Sequence, residues 1–211
     1  AAMRGIDFGK RVALIEKNKA GGAGIFNGAL SSKTLWELSE SYQITRSTDL
    51  GFTVHDCELN YSAVIHEMHR AVGDKYSQIR EQINYFKRKG SLSEFHGHGK
   101  LVTKNEISIA LADGTEQTIW ADNIVLAIGS RPRYLPHIPI DEKIIMTSDG
   151  IASMSDFPKS IVILGAGVIG CEFATIFSNF GQTKVHLIDK EERILPFEDE
   201  DISHALAANL E

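Results

Sequence analysis

Basic tracts, long apolar runs and cysteine pairs are all missing from this chain. Its 211 residues carry 22 Lys and Arg against 28 Asp and Glu, a net charge of −6, and no run of Lys or Arg is long enough to form a basic tract. That argues against nucleic acid or an anionic membrane surface as a partner. The longest apolar run, residues 161–169, contains two glycines and is far too short to span a bilayer. Residues 1–10 carry charge and have no apolar core, so no signal peptide is expected. Only two cysteines occur, Cys57 and Cys171, far apart in sequence. This fits a reducing, cytoplasmic compartment without a disulfide framework. Repeats and low-complexity tracts are also absent.

What is present reads as alternating α/β structure. Residues 1–8 are helix-like with Gly9 as C-cap, and 11–16 (RVALIE) read as a buried strand. Residues 20–29 form a glycine-rich loop, followed by a helix over 30–45 and a long amphipathic helix over about 61–89, closed by Gly90. Three short strands follow, at 95–102, 106–111 and 117–120, with Asp113-Gly114 as a hairpin turn in a small antiparallel meander. Residues 123–127 (NIVLA) read as a buried strand ending at Gly129. Residues 130–142 hold three of the five prolines, a linker signature. A second α/β unit begins near Pro158. The expected division is therefore 1–142 and 143–211. Secondary-structure units are interrupted at both ends, which points to a portion of a protein about twice as long rather than a natural short form.

One motif carries most of the chemistry. Residues 161–164 are a short buried strand, Gly165-Ala-Gly-Val-Ile-Gly170 follows at once, 171–180 are helix-like, and the strand 184–188 ends at Asp189. Gly165 permits the tight turn, Gly167 lets backbone approach a pyrophosphate, and Gly170 lets helix and strand pack closely. The helix N-terminus, with Val168 and Ile169, then presents free N–H groups and a positive dipole end to phosphate. Asp189 lies nineteen residues after Gly170, where an acid can hold a ribose 2′-OH. It would repel a 2′-phosphate, favouring NAD over NADP, although Lys190 and Arg193 nearby weaken that preference.

The strand 11–16 also ends in an acid, Glu16. It reads equally as the ribose-binding acid of another dinucleotide unit or as a surface glutamate. Glu16, Gly21-Gly22, Gly28 and Ser32-Lys33 resemble the flavin-binding segment of the pyridine nucleotide–disulfide oxidoreductases, in particular the dihydrolipoamide dehydrogenase group. Residues 127–132 (AIGSRP) resemble that family's strand end against FAD. Gly165 to Glu172, then Arg193-Ile-Leu-Pro196 with Asp199, resemble its NAD-domain pattern.

The resemblance covers the whole chain and implies an FAD/NAD(P)-binding Rossmann-like fold with two incomplete nucleotide-binding domains. FAD would lie on 1–142, whose first strand and glycine loop would precede Ala1, and NAD on 143–211. Glu16, Gly21, Gly22, Gly99, Ala127, Gly129 and Ser130 would contact flavin nucleotide. Lys33 would lie near flavin N5, paired with Glu172, since a buried cation needs a carboxylate partner. The resemblance also implies a homodimer built through a C-terminal domain.

The family's redox disulfide does not follow. Its two cysteines would fall at Gly24 and Ala29, so no sulfur there can exchange with a disulfide. Ser31 stands at the family's usual Pro and Ile128 at its usual Thr. Cys57 and Cys171 read as structural. The pairs His66/His69 and His96/His98 lack further ligands, so no metal site is expected. Trp36, Tyr85 and Phe86 read as packing residues, and residues 198–201 (EDED) as an acidic helix N-terminus. Two functions follow: an FAD-dependent NADH oxidoreductase delivering electrons to an unknown small-molecule acceptor that is not a disulfide, or a non-catalytic nucleotide-binding relative or fragment.

Overall fold

The computed structural model describes residues 1–47, 50–51 and 53–210; the last residue lies outside them. In chain order its elements are helix α1 (Ala2–Asp7), strand β1 (Val12–Glu16), helices α2 (Ala23–Phe26), α3 (Ala29–Arg46) and α4 (Tyr61–Arg88), and strands β2 (Leu92–Leu101), β3 (Glu106–Leu111) and β4 (Glu116–Trp120). A 3-10 turn (Ser148–Ser153), β5 (Ser160–Leu164), α5 (Val168–Phe180), β6 (Lys184–Ile188) and α6 (Glu200–Leu210) complete the chain. Among the described residues no helix is long and apolar enough to cross a membrane.

These elements gather into two compact units, Ala1–Phe26 with Gly73–Arg131, and Asn27–Val72 with Pro132–Glu211. The border between 131 and 132 falls inside the proline-rich segment 130–142. The units are not sequential, however: residues 27–72 group with the second, although a division at 142 assigns them to the first.

In the first unit β1 lies parallel to β2, from Val12↔Leu92 to Glu16↔His96, and β2, β3 and β4 form an antiparallel meander. The first half of β2 pairs with β1 and the second half with β3, so the strand starts at Leu92 rather than at Phe95. An ionisable residue at an inward position hides that start. The Glu94 side chain is fully buried, and it accepts hydrogen bonds from Arg80 and from Lys87 (2.9 Å), both on α4. Around it Ile83 and Leu92 form a core with Ala20, against Met3, Ile6, Leu14, Ile79 and Phe86. The meander's turn is the expected one: Asp113 Oδ1 accepts from the Thr115 amide (2.9 Å) and hydroxyl (2.7 Å).

Three expectations for this unit are corrected. Strand β1 is only half-buried and starts at Val12. A short helix, α2, interrupts the glycine-rich loop. Residues 123–127 form no strand: Val125 and Leu126 are exposed, and Ile128 is 88% exposed. Among the described residues no strand pairs with this segment. Tyr85 is half-exposed and stacks edge-on against Phe86.

In the second unit β5 and β6 pair in parallel, from Ser160↔Lys184 to Leu164↔Ile188. Both alternate half-buried and exposed residues instead of being buried throughout. Ile161 and Val185 join the core, while Val162, Leu164 and Ile188 face outward. A parallel strand is buried on both faces only when helices cover both. The core joins α3, α4 and α5 through Leu35, Met68, Ile176, Phe177 and Phe180, with Ile151 and Trp36 against them.

Glu94 makes the first unit's stability depend on acid. Burial pushes its carboxyl up, but hydrogen bonds and charge from Arg80 and Lys87 outweigh this and hold it at about 2, below the ordinary 4.5. Its contribution is therefore complete above about pH 4.5 and disappears as pH falls through 2. Glu94→Gln should destabilise the full-length protein by about 3 kcal/mol at neutral pH, because two cations lose their partner. Urea unfolding should show that gap narrowing as pH falls from 5 towards 2.

Candidate functional site

Strand β5 ends at Leu164, and the chain turns at Gly165 with φ +110, a conformation open to glycine and strained for other residues. Three residues into α5, a Cβ on Gly170 would collide with the carbonyl oxygen of Gly165. Helix and turn therefore approach as closely as they do only because both positions are glycine. Gly167 is the N-cap, makes no side-chain cap bond, and has nothing within 4 Å of where a Cβ would sit. No acid occupies the first turn of α5. Its N-terminus is thus open, uncapped and electropositive, as phosphate binding requires.

The strand-end acid comes to the same turn. Asp189 Oδ2 accepts from the Ala166 amide (2.5 Å) and Oδ1 from the Glu191 amide (3.0 Å). These bonds, Ala166 first and Glu191 second, hold its carboxyl below the usual aspartate range. Ala166 is itself buried, and its carbonyl accepts from the Leu195 amide (2.8 Å) and the Cys171 thiol (3.4 Å). Burial, and then the charge of Asp189, push the Cys171 thiol up. This cysteine is a packing residue beneath the glycine turn, as expected, and a poor nucleophile. The first unit repeats the device: Glu16, at the end of β1, accepts from the Asn18 amide at 2.8 Å.

Helix α5 also carries Glu172, whose side chain is only 11% exposed. Its Oε1 accepts from Lys33 Nζ (2.5 Å) and Ser32 Oγ (3.0 Å), both on α3. Seven residues further along each helix, Asn179 Nδ2 donates to the buried Ser39 hydroxyl at 3.3 Å. Both contacts join residues 140 apart, so α3 and α5 run side by side in the same direction. Small buried residues on α3, Ser31, Ser32 and Ser39, permit that approach. The Lys33 side chain remains 65% exposed, so the ammonium is anchored on one side and open on the other.

The remaining expected residues are spread over the first unit. Gly21 and Gly22 precede α2, and Gly99 lies in β2 where a Cβ would approach Ile15. Ala127, Gly129 and Ser130 are exposed coil. Two details were not foreseen. The Ser31 hydroxyl donates to the Gly28 carbonyl at 3.0 Å, fastening the entry to α3 where a proline was expected. Arg193 is not free to weaken the effect of Asp189: its guanidinium donates to Ser203 Oγ (2.7 Å) and to the Glu198 and Pro196 carbonyls. Lys190 pairs with Glu191 at 2.9 Å. Among the described residues no three His, Cys, Asp or Glu side chains gather as metal ligands.

Strand, glycine turn, helix, strand and terminal acid together make a dinucleotide-binding βαβ unit. The chain belongs to the pyridine nucleotide-disulphide oxidoreductase family, whose model matches residues 1–211. It is 34% identical over 219 residues to the dihydrolipoyl dehydrogenase of Bacillus subtilis (strain 168), covering 100% of this chain and 45% of that protein. It is likewise 34% identical over 209 residues to the soluble pyridine nucleotide transhydrogenase of Yersinia enterocolitica, covering 98% and 44%. In fold it resembles the crystal structure of LpdA from Mycobacterium tuberculosis, with TM-score 0.81, 23% identity, and coverage of 99% and 45%. A Cu(II) complex of the HOCl-induced flavoprotein disulfide reductase RclA from Escherichia coli gives TM-score 0.75 at 23% identity, covering 99% and 43%. The chain spans less than half the length of each of these relatives.

The two glycines nearest the contact differ in what a methyl group would meet. Gly170→Ala should cost about 1–3 kcal/mol, since backbone must move to admit it. Gly167→Ala, which meets nothing, should cost about 1 kcal/mol or less. Urea unfolding midpoints of the two variants in the full-length protein measure the difference, and equal midpoints would contradict the close contact.

Proposed function

We propose that this chain is the nucleotide-binding portion of an FAD-dependent NADH oxidoreductase that delivers electrons to a non-disulfide acceptor. The observation that carries this reading is the Lys33–Glu172 pair, in which Lys33 on α3 is held by a carboxylate on α5, the helix that follows the glycine turn. An uncapped helix N-terminus and an adjacent strand-end acid fit a dinucleotide lacking a 2′-phosphate. Glu16, Gly21, Gly22, Gly99, Ala127, Gly129 and Ser130 are the residues that would hold flavin nucleotide in the first unit. In functional terms the proposed assignment is FAD to 1–142 and NAD(H) to 143–211.

When bound, flavin supplies hydride acceptance from the reduced nicotinamide and onward electron transfer. The protein's part is electrostatic and positional. Glu172 orients the Lys33 ammonium, and the exposed side of that ammonium offers positive charge where negative charge develops during reduction. Val168, Ile169 and Gly170 present backbone N–H groups to pyrophosphate, while Asp189 offers an acceptor to a ribose hydroxyl.

Thiol placement supports a non-disulfide acceptor. Gly24 lies in α2 and Ala29 begins α3, and neither position carries sulfur. Cys57 is exposed coil and Cys171 is buried under Ala166. Resemblance to the family further suggests that the full-length protein acts as a homodimer.

Full-length protein loaded with FAD should bleach at its flavin absorption band on anaerobic addition of NADH, and absence of bleaching would remove the oxidoreductase reading. Dihydrolipoamide turnover should stay at background while a quinone or dye is reduced. Turnover abolished by thiol alkylation would overturn the non-disulfide acceptor. Lys33→Met should slow anaerobic flavin reduction about a hundredfold, with Glu172→Gln slowing it less.

A further inference from the structure

Loop 190–199 carries two cations close to Asp189, and both are already engaged. Arg193 Nη1 donates to Ser203 Oγ (2.7 Å) and the Glu198 carbonyl (3.1 Å), and Nη2 to the Pro196 carbonyl (3.2 Å). Ser203 is fully buried, and its hydroxyl lies 3.1 Å from the Leu195 carbonyl and 3.2 Å from that of Asp199. Leu195 adopts φ +47, unusual for a residue with a side chain. It is held there by its amide on the Ala166 carbonyl (2.8 Å), by the Glu198 amide on its own carbonyl (3.0 Å), and by burial against Ala166 and Cys171. A conformation of this cost persists only where its surroundings over-determine it.

We propose that Arg193 is a specificity-determining residue of the pyridine-nucleotide site, clamped on Ser203 and two carbonyls so that it is withheld from a ligand's 2′-position. The proposal rests on the NAD reading of Gly165–Gly170 and Asp189. An arginine beside this strand end ordinarily accommodates a 2′-phosphate. Here the guanidinium fork is turned inward to hold the Leu195 bend that supports Ala166, and Lys190 is paired with Glu191. The Arg193 guanidinium is thereby kept from Asp189, and the exposed Lys190, paired with Glu191, is the cation whose charge still reaches that carboxylate. The clasp therefore does two things at once: it supports the glycine turn and sets the choice of nucleotide.

Releasing the clasp should shift that choice. Ser203→Ala removes the partner nearest the guanidinium. Arg193→Lys keeps the positive charge but cannot span three acceptors. Equilibrium titrations of NADH and NADPH with full-length, flavin-loaded protein should show the NADH-to-NADPH affinity ratio falling about two- to fivefold in each variant, the range of an exposed charge contact. The NADPH gain should shrink with added salt and vanish in Ser203→Ala/Arg193→Ala. An unchanged ratio in both folded single variants, or a gain that survives loss of Arg193, overturns the clasp while leaving the NAD reading standing. If the wild-type protein binds neither nucleotide, the NAD reading falls and the clasp with it.

Discussion

At the start of α5, Gly170 lies against the carbonyl oxygen of Gly165 with no room for a methyl group between them. The rest of the second unit is placed by that contact. It sets the helix at the end of β5 with its N-terminus open, and the next residue, Cys171, goes under the turn to bond Ala166. One residue further, Glu172 faces Ser32 and Lys33 on α3. Two turns beyond, Asn179 meets Ser39, and Ile176, Phe177 and Phe180 fill the space between the helices and the strands. A helix displaced even slightly would lose the turn, the ion pair and the core together, because close-packed interiors transmit strain.

Ala166 is the second point at which structure and chemistry meet. Its amide is held by Asp189, and its carbonyl by Leu195 and Cys171. The acid that would read a ribose hydroxyl therefore also fixes the loop that would cradle the pyrophosphate. The loop after Asp189 is tied down through Leu195, Ser203 and Arg193. The groups proposed to bind nucleotide are thus pre-set by hydrogen bonds within the protein, which would limit the ordering left to occur when a ligand arrives.

The first unit solves a different problem. β2 must serve a parallel neighbour with one half and an antiparallel neighbour with the other. Glu94 sits in the half that pairs with β1 and is neutralised by two cations from α4. This buried charge is costly to separate from its partners. It fastens the long helix to the strand that pairs with β1, and so helps to locate Glu16.

Much of this was legible in the linear sequence. The glycine turn, the strand-end acids, the long helix closed by Gly90 and the Asp113-Gly114 hairpin all rest on local rules of backbone geometry and periodicity. The family resemblance placed Lys33 opposite Glu172, and the structure brings them to 2.5 Å. Other features were invisible because they depend on partners distant in sequence. Residues 123–127 have the composition of a buried strand, yet strand formation requires a neighbour and none of the described strands supplies one. Glu94 fell outside the strand expected at 95–102, because only α4 brings Arg80 and Lys87 to it. Arg193 looked like a free cation until Ser203 and two carbonyls claimed it. The sequence by itself determined which residues could turn, cap and pair. Tertiary structure decided which of them were already occupied, because burial and hydrogen bonding belong to a residue's neighbours as much as to the residue.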